Sequence, residues 1–202
     1  MVIPREPFGK AQGYSHERSR VGLRRDYTRA PLISKGYLMG LIHDATKRKT
    51  TIRIAQKNES YLRFISEEMK LLGINSWIYK EGKTRNVWIL EFSKKHLENI
   101  KIESKAEKID YLRGYFDAEG GIAKSSSVRF YLYYCQKNYS EMVLIRNWLM
   151  KFGISCGKIH NPSRDRDPDF WRFYISASGY SKFAKLIGSS HPDKWSYLRM
   201  KI

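Results

Sequence analysis

Tyr111-Leu112-Arg113-Gly114-Tyr115-Phe116-Asp117-Ala118-Glu119-Gly120-Gly121 is the stretch on which the reading of this chain turns. It has the apolarity of a buried helix until its last turn, where two carboxylates, Asp117 and Glu119, precede a pair of glycines. A carboxylate at a helix C-terminus is disfavoured by the helix dipole. Glycine inside a helix costs about 1 kcal/mol relative to alanine, a cost that is offset where a second backbone must come close. The pattern also occurs earlier. Tyr37-Leu38-Met39-Gly40-Leu41-Ile42 answers Tyr111 to Phe116 at an offset of 74 residues. Gln56-Lys57-Asn58 recurs as Gln136-Lys137-Asn138, and Leu72-Gly73-Ile74 as Phe152-Gly153-Ile154, both at 80; Trp88 with Ser93 recurs as Trp171 with Ser176 at 83. Matches in one order, with an offset that only rises, argue for a duplicated unit.

Both copies share one plan. A helix begins after Ser34 or Asp110, each a suitable N-cap, and ends at an acidic cluster. An alternating strand follows, Thr51 to Lys57 or Val128 to Lys137. Next comes an amphipathic helix, 59–72 or 139–152, closed by Gly73 or Gly153 in the C-cap role. Two further strands, about 75–80 and 86–92 or 154–160 and 170–176, precede a shorter helix. The pattern predicts an α+β fold with a first half over 31–103 and a second over 104–202. Two helices packed through Gly40 and Gly114 would carry their acidic ends side by side, and something positive should sit between them. A hard divalent cation such as Mg²⁺ takes oxygen ligands from one or two carboxylates and shares the rest of its shell with phosphate and water.

Among 202 residues, 38 Lys+Arg stand against 20 Asp+Glu, a formal charge of +18. Such a chain is drawn to a dense polyanion through counterion release, with nucleic acid the leading partner. A membrane surface or a ribosome-associated role would show a similar total. The apolar runs are too short for a spanning helix, and MVIPREPFGK has no secretory h-region, so no membrane partner is expected and the chain reads as intracellular, cytoplasmic or nucleoid-associated. Cys135 and Cys156 are too few for a disulfide framework and read as reduced packing residues. Residues 1–30 form a basic extension with seven Lys or Arg against three acids. It is either a solvated tail or an arm along phosphates, with Arg24 and Arg25 flanked by Arg18, Arg20 and Arg29.

YLRGYFDAEGG resembles the nine-residue motif of the LAGLIDADG homing endonucleases, and YLMGLIHDAT resembles a degenerate copy. The likeness covers residues 31–202: the motif twice, Gln-Lys after the following strand twice, and the same order of strands and helix between. It implies two pseudo-symmetric αββαββα-like halves that form a curved antiparallel β saddle, with the paired motif helices at their interface. Two motifs in one chain are similar to the monomeric members, which bind a long, nearly asymmetric double-stranded DNA site and cut both strands with Mg²⁺. The acid at the motif's eighth position from each helix binds metal in that family. In the second copy this is Glu119. In the first the eighth position falls on Ala45, and Asp44, one residue early, is the expected ligand; one residue is about 100° around a helix, although a helix end can re-aim it. His43 reads as a helix-end histidine. Gln56-Lys57 and Gln136-Lys137 resemble the pair that orders the attacking water or stabilises charge on the phosphate, which makes them the further catalytic residues.

Strand alternation places Arg129, Tyr131, Tyr133 and Lys137 on one face and Val128, Phe130, Leu132 and Tyr134 on the other. Arg53 takes the matching polar face in the first half, and Arg172 and Tyr174 alternate with Trp171, Phe173 and Ile175. Arginine and tyrosine on such a ribbon suit the major groove, against the alternative of a solvated polar face. The first half is six residues shorter where the second carries the hairpin Gly121 to Val128. With Ala45, that keeps a second reading open: a nicking relative, or a non-cleaving DNA binder or intron-RNA splicing cofactor (maturase).

Overall fold

A computed structural model describes residues 32–125 and 127–201. The basic stretch containing Arg24 and Arg25 lies outside them. Helix α1 (Lys35–Leu41) starts where Ser34 accepts a hydrogen bond from the Tyr37 amide at 3.2 Å and passes into one 3₁₀ turn, Ile42–Asp44. Its counterpart α3 (Lys105–Glu119) starts earlier than Asp110. Ser104 accepts from the Glu107 amide while the Glu107 carboxylate accepts from the Ser104 amide, a reciprocal box that satisfies two orphan donors where Asp110 would satisfy one. Asp110 lies inside the helix and pairs with Arg113 at 3.2 Å.

The first half's strands β1 (Thr46–Lys47), β2 (Thr51–Gln56), β3 (Ser76–Lys80) and β4 (Trp88–Ser93) form an antiparallel sheet in the order β1-β2-β4-β3. Helix α2 (Glu59–Leu71) lays Tyr61, Leu62, Ile65 and Met69 against Ile52, Ile54, Leu90 and Phe92 to make one core. In the second half β5 (Gly120–Ile122), β6 (Leu132–Gln136) and β7 (Trp171–Ile175) pair in the order β5-β6-β7. There α4 (Tyr139–Lys151) sets Met142, Ile145 and Leu149 on Leu132, Tyr134, Phe173 and Ile175. Two short helices, α5 (Tyr180–Leu186) and α6 (Pro192–Leu198), complete the chain.

The repeat extends to the caps. Asn58 and Asn138 accept from Tyr61 and Glu141 amides at 3.1 Å each. Gly73 and Gly153, both at φ +73°, end α2 and α4 in the same motif: Ile74 and Ile154 amides reach back to Met69 and Leu149 carbonyls at 2.9 Å. The long strand begins at Leu132 rather than Val128, which is 47% exposed. The expected strand at 154–160 is reduced to two bridges, Cys156 with Ile175 and His160 with Arg172. Four residues separate the first members and three the second, so one extra residue bulges out and the ladder cannot run continuously. No described helix is long and apolar enough to cross a membrane.

Helices α1 and α3 pack backbone to backbone. A Cβ built on Gly40 would lie 2.1 Å from the Tyr111 carbonyl oxygen, and one on Gly114 would lie 2.0 Å from that of Tyr37. The reciprocity of these contacts, at the motif's own offset, is the mark of a local twofold axis between the halves.

Candidate active site

The same axis organises the polar groups around the helix pair. Tyr37 donates to Asp117 Oδ2 at 2.7 Å, and its oxygen lies 2.7 Å from Tyr61 Oη, all buried. On the other side Tyr111 donates to Glu141 Oε1, and His43 Nε2 stands 2.8 Å from Tyr111 Oη and 3.1 Å from Glu141 Oε1. Tyr37 and Tyr111 are repeat partners, as are Tyr61 and Glu141, and His43 and Asp117. Each side is thus a triad with one carboxylate, supplied by α3 on one side and by α4 on the other. Asp117, 2% exposed, does not solvate the helix end. Burial raises its pKa, opposed by donors from Ser189, Tyr37 and the Ser190 amide and by the Lys194 charge.

Glu119 is the last residue of α3, and Asp44 is the last of the 3₁₀ turn that follows α1. Burial raises the Glu119 pKa and the charge of Asp44 adds to it, while Gln136, His43 and Lys194 act in the opposite direction. Burial likewise raises Asp44, against the pull of Lys194. The 3₁₀ turn under Asp44 advances each residue by about 120° rather than 100°, so its three residues recover about 60° of the misalignment left by the one-residue shift. Ala45, at the motif's eighth position, packs against the first core. Among the described residues no group of three or more His, Cys, Asp or Glu converges on a point. Two hard oxygen donors that repel one another fit a cation such as Mg²⁺, which draws its remaining ligands from phosphate and water.

Gln136 donates to Glu119 Oε1 at 2.7 Å and accepts from the Lys137 amide at 2.6 Å, which fixes the carboxylate. Its repeat partner Gln56 faces a cleft of about 530 Å³ that Asp44, Lys57, Lys124, His191 and Lys194 also line. The lysines differ too: Lys57 lines this cleft, whereas Lys137 pairs with Asp167 at 3.2 Å. Lys194, from α6, donates to the carbonyls of Phe116 at 2.6 Å, Asp117 at 2.9 Å and Gly120 at 2.7 Å, closing the end of α3. Burial lowers its pKa to about 8, with Asp117 and Glu119 opposing.

On the outer faces of the sheets the two halves diverge. Arg53 donates to Tyr79 Oη at 2.9 Å and lies 3.7 Å from Glu91 and 3.5 Å from Glu81. Glu91 is itself buried, and although desolvation works against it, bonds from Thr51 and Tyr79 and the charges of Arg48 and Arg53 leave its pKa lowered. In the second half Tyr131, Tyr133 and Tyr174 form a triangle with centroids 5.9 to 6.1 Å apart, and Arg172 lies 4.5 Å over the Tyr133 ring. Tyr131 and Tyr174 are exposed, as is Arg129, which precedes β6. Sequence reasoning missed Lys194, Lys124 and the tyrosine triads; the repeat offsets alone would have paired Tyr37 with Tyr111 and Tyr61 with Glu141.

The profile of the LAGLIDADG-like domain matches residues 40–103 and 106–188. Comparison with curated proteins gives no match. Among solved structures, the homing endonuclease I-DmoI in complex with DNA and Mn is similar, with a TM-score of 0.56 and 24% identity, over 78% of this chain and 97% of that one. The N-terminal LAGLIDADG domain of DUF199/WhiA aligns with a TM-score of 0.61 and 19% identity, over 80% of this chain and 86% of that one. Full-length DUF199/WhiA from Thermatoga maritima gives 0.62 and 19%, over 87% of this chain and 63% of that one. At these identities the likeness is one of fold.

Proposed function

The chain belongs to the LAGLIDADG-like domain family, and from that premise we propose that it is a monomeric, site-specific DNA endonuclease that hydrolyses phosphodiester bonds of a long duplex target. The observation that carries this reading is the backbone-to-backbone packing of the two motif helices, whose ends carry Asp44 and Glu119, with Asp44 lining a cleft that Lys57, Lys124 and Lys194 also line. Complexes of I-DmoI with DNA and Mn, and with DNA and Mg, support duplex DNA and a divalent cation as the partners. Residues 31–103 and 104–202 act as the two halves, each engaging one half-site.

Asp44 and Glu119 would hold the cation, which when bound lowers the pKa of a water and neutralises charge on the scissile phosphate. Gln136 holds the Glu119 carboxylate in place. Gln56, with no carboxylate to grip at Ala45, is placed to orient a water in the cleft. Lys57 and Lys124 supply positive charge where the transition-state phosphorane would form, a role that depends on position rather than nucleophilicity. Arg129, Tyr131, Tyr133, Arg172 and Tyr174 form the groove-facing surface of the second half, and Arg53 orders that of the first through Tyr79 and Glu91.

Two observations favour a second reading: Ala45 occupies the eighth position in the first half and Asp167 engages Lys137, so the two strands would meet unequal chemistry. A nicking enzyme, or a binder without cleavage, is the outcome that follows. Selection of cleaved sites from a random plasmid library in Mg²⁺, scored for single- and double-strand breaks, decides between them. The endonuclease reading expects cleavage at one defined site, abolished by Glu119→Gln with DNA affinity retained. Specific binding without scission at any divalent cation concentration would overturn it.

A further inference from the structure

The end of α3 presents an unusual density of negative potential. Its last carbonyls point out of the helix, and Asp117 and Glu119 lie in its last turn. The group that meets this potential comes from far along the chain. The Lys194 ammonium donates its three protons to the carbonyls of Phe116, Asp117 and Gly120, at 2.6, 2.9 and 2.7 Å, and sits 5.1 Å from the Phe116 ring centroid. Three carbonyl oxygens at such distances form a cage of the kind that coordinates a monovalent cation. The segment that delivers the lysine is anchored on both sides of the molecule. Ser189 and the Ser190 amide donate to Asp117 of the second half, and the His191 ring packs on Tyr61 of the first at 4.5 Å.

We propose that Lys194 is a resident counter-cation whose ammonium fills the carbonyl cage at the end of α3, the place a monovalent metal ion would otherwise take. The C-terminal segment then supplies one of the cleft's positive charges, beside those of Lys57 and Lys124, before any divalent cation or DNA arrives. The proposal concerns assembly of the site and stands whether or not the chain cleaves DNA.

Chemical rescue of the full chain tests it, read as the thermal unfolding midpoint in EDTA. Lys194→Ala removes the atoms that propylammonium carries, so this amine can refill the cage, whereas tetramethylammonium has the charge but no N–H donors. Lys194→Ala is expected to lower the midpoint by on the order of 10 °C. Propylammonium should restore at least half of that loss saturably, with tetramethylammonium at equal ionic strength giving no such recovery. Lys194→Met, which fills the space without the charge, should stay low. Equal effects of the two amines on Lys194→Ala would overturn the proposal, as would a Lys194→Met midpoint at the wild-type level. If Lys194→Ala does not fold, the Lys194→Met comparison decides alone.

Discussion

Moving the acid of the Tyr111 triad from α4 to the end of α1 should be possible on paper and in the tube. His43→Asp alone sets a second carboxylate beside Glu141, in place of a ring whose Nε2 stands 3.1 Å from it. Two unit charges about 4 Å apart repel by roughly 4 kcal/mol at an effective dielectric of about 20. Side chains of 21% and 18% exposure can swing and hydrate, which reduces the expected cost to about 2–3 kcal/mol. Glu141→Tyr alone removes the carboxylate that Tyr111 donates to and costs about 1 kcal/mol. Together they rebuild around Tyr111 the arrangement of Tyr37, Tyr61 and Asp117. Urea unfolding at about pH 7 should therefore find the double variant within about 1 kcal/mol of wild type, a coupling of about 2 kcal/mol. A double variant as unstable as the two singles added together would show that the triads are not equivalent and that the twofold relation stops at the backbone.

Gly40→Ala and Gly114→Ala force the Cβ positions at 2.1 and 2.0 Å from carbonyl oxygens out to ordinary contact. The parting of the helices should outweigh the gain of about 1 kcal/mol in helix propensity and lower the unfolding midpoint by about 5–10 °C in a calorimeter. Glu119 and Asp44 have folded pKa values raised above 4.5 and 3.8. Each therefore contributes stability that is present at low pH and is lost as pH rises through the folded value. In metal-free buffer wild type should gain stability relative to Asp44→Asn/Glu119→Gln as pH falls towards the ordinary carboxylate values of 4.5 and 3.8; urea titrations check the slope. Lys57→Met should slow cleavage by about 10²-fold, whereas Lys137→Met, already engaged by Asp167, should change it by less than about tenfold in single-turnover assays.

The repeat made the helix pair legible, because glycine at position 40 and again at 114 has no local advantage and must answer to a neighbour. Gly73 and Gly153 were legible for a related reason: a φ of +73° excludes most other residues. What escaped was anything set by a partner remote in sequence. Asp110 has the chemistry of a cap, and only the competing Ser104–Glu107 pair removes it from that role. Arg53 sits on the outward face as alternation requires, yet Glu91 opposite it is buried, so the guanidinium is held within the sheet. Lys194 has no counterpart in the first half, so no internal match could flag it. The 3₁₀ turn that ends at Asp44 leaves no compositional trace, so the sequence did not carry the direction of that side chain.

The unequal triads also bear on which surfaces can marry. Two copies of the second half, joined through α3, would confront Asp117 of one with Glu141 of the other around a single tyrosine, a pair of like charges with little water to spare. Two copies of the first would bring His43 to Tyr37 and Tyr61 and leave both clusters without an acid. Only the mixed union gives each cluster one anion, so duplication followed by divergence has turned a self-complementary seam into one that accepts its sibling and refuses its twin.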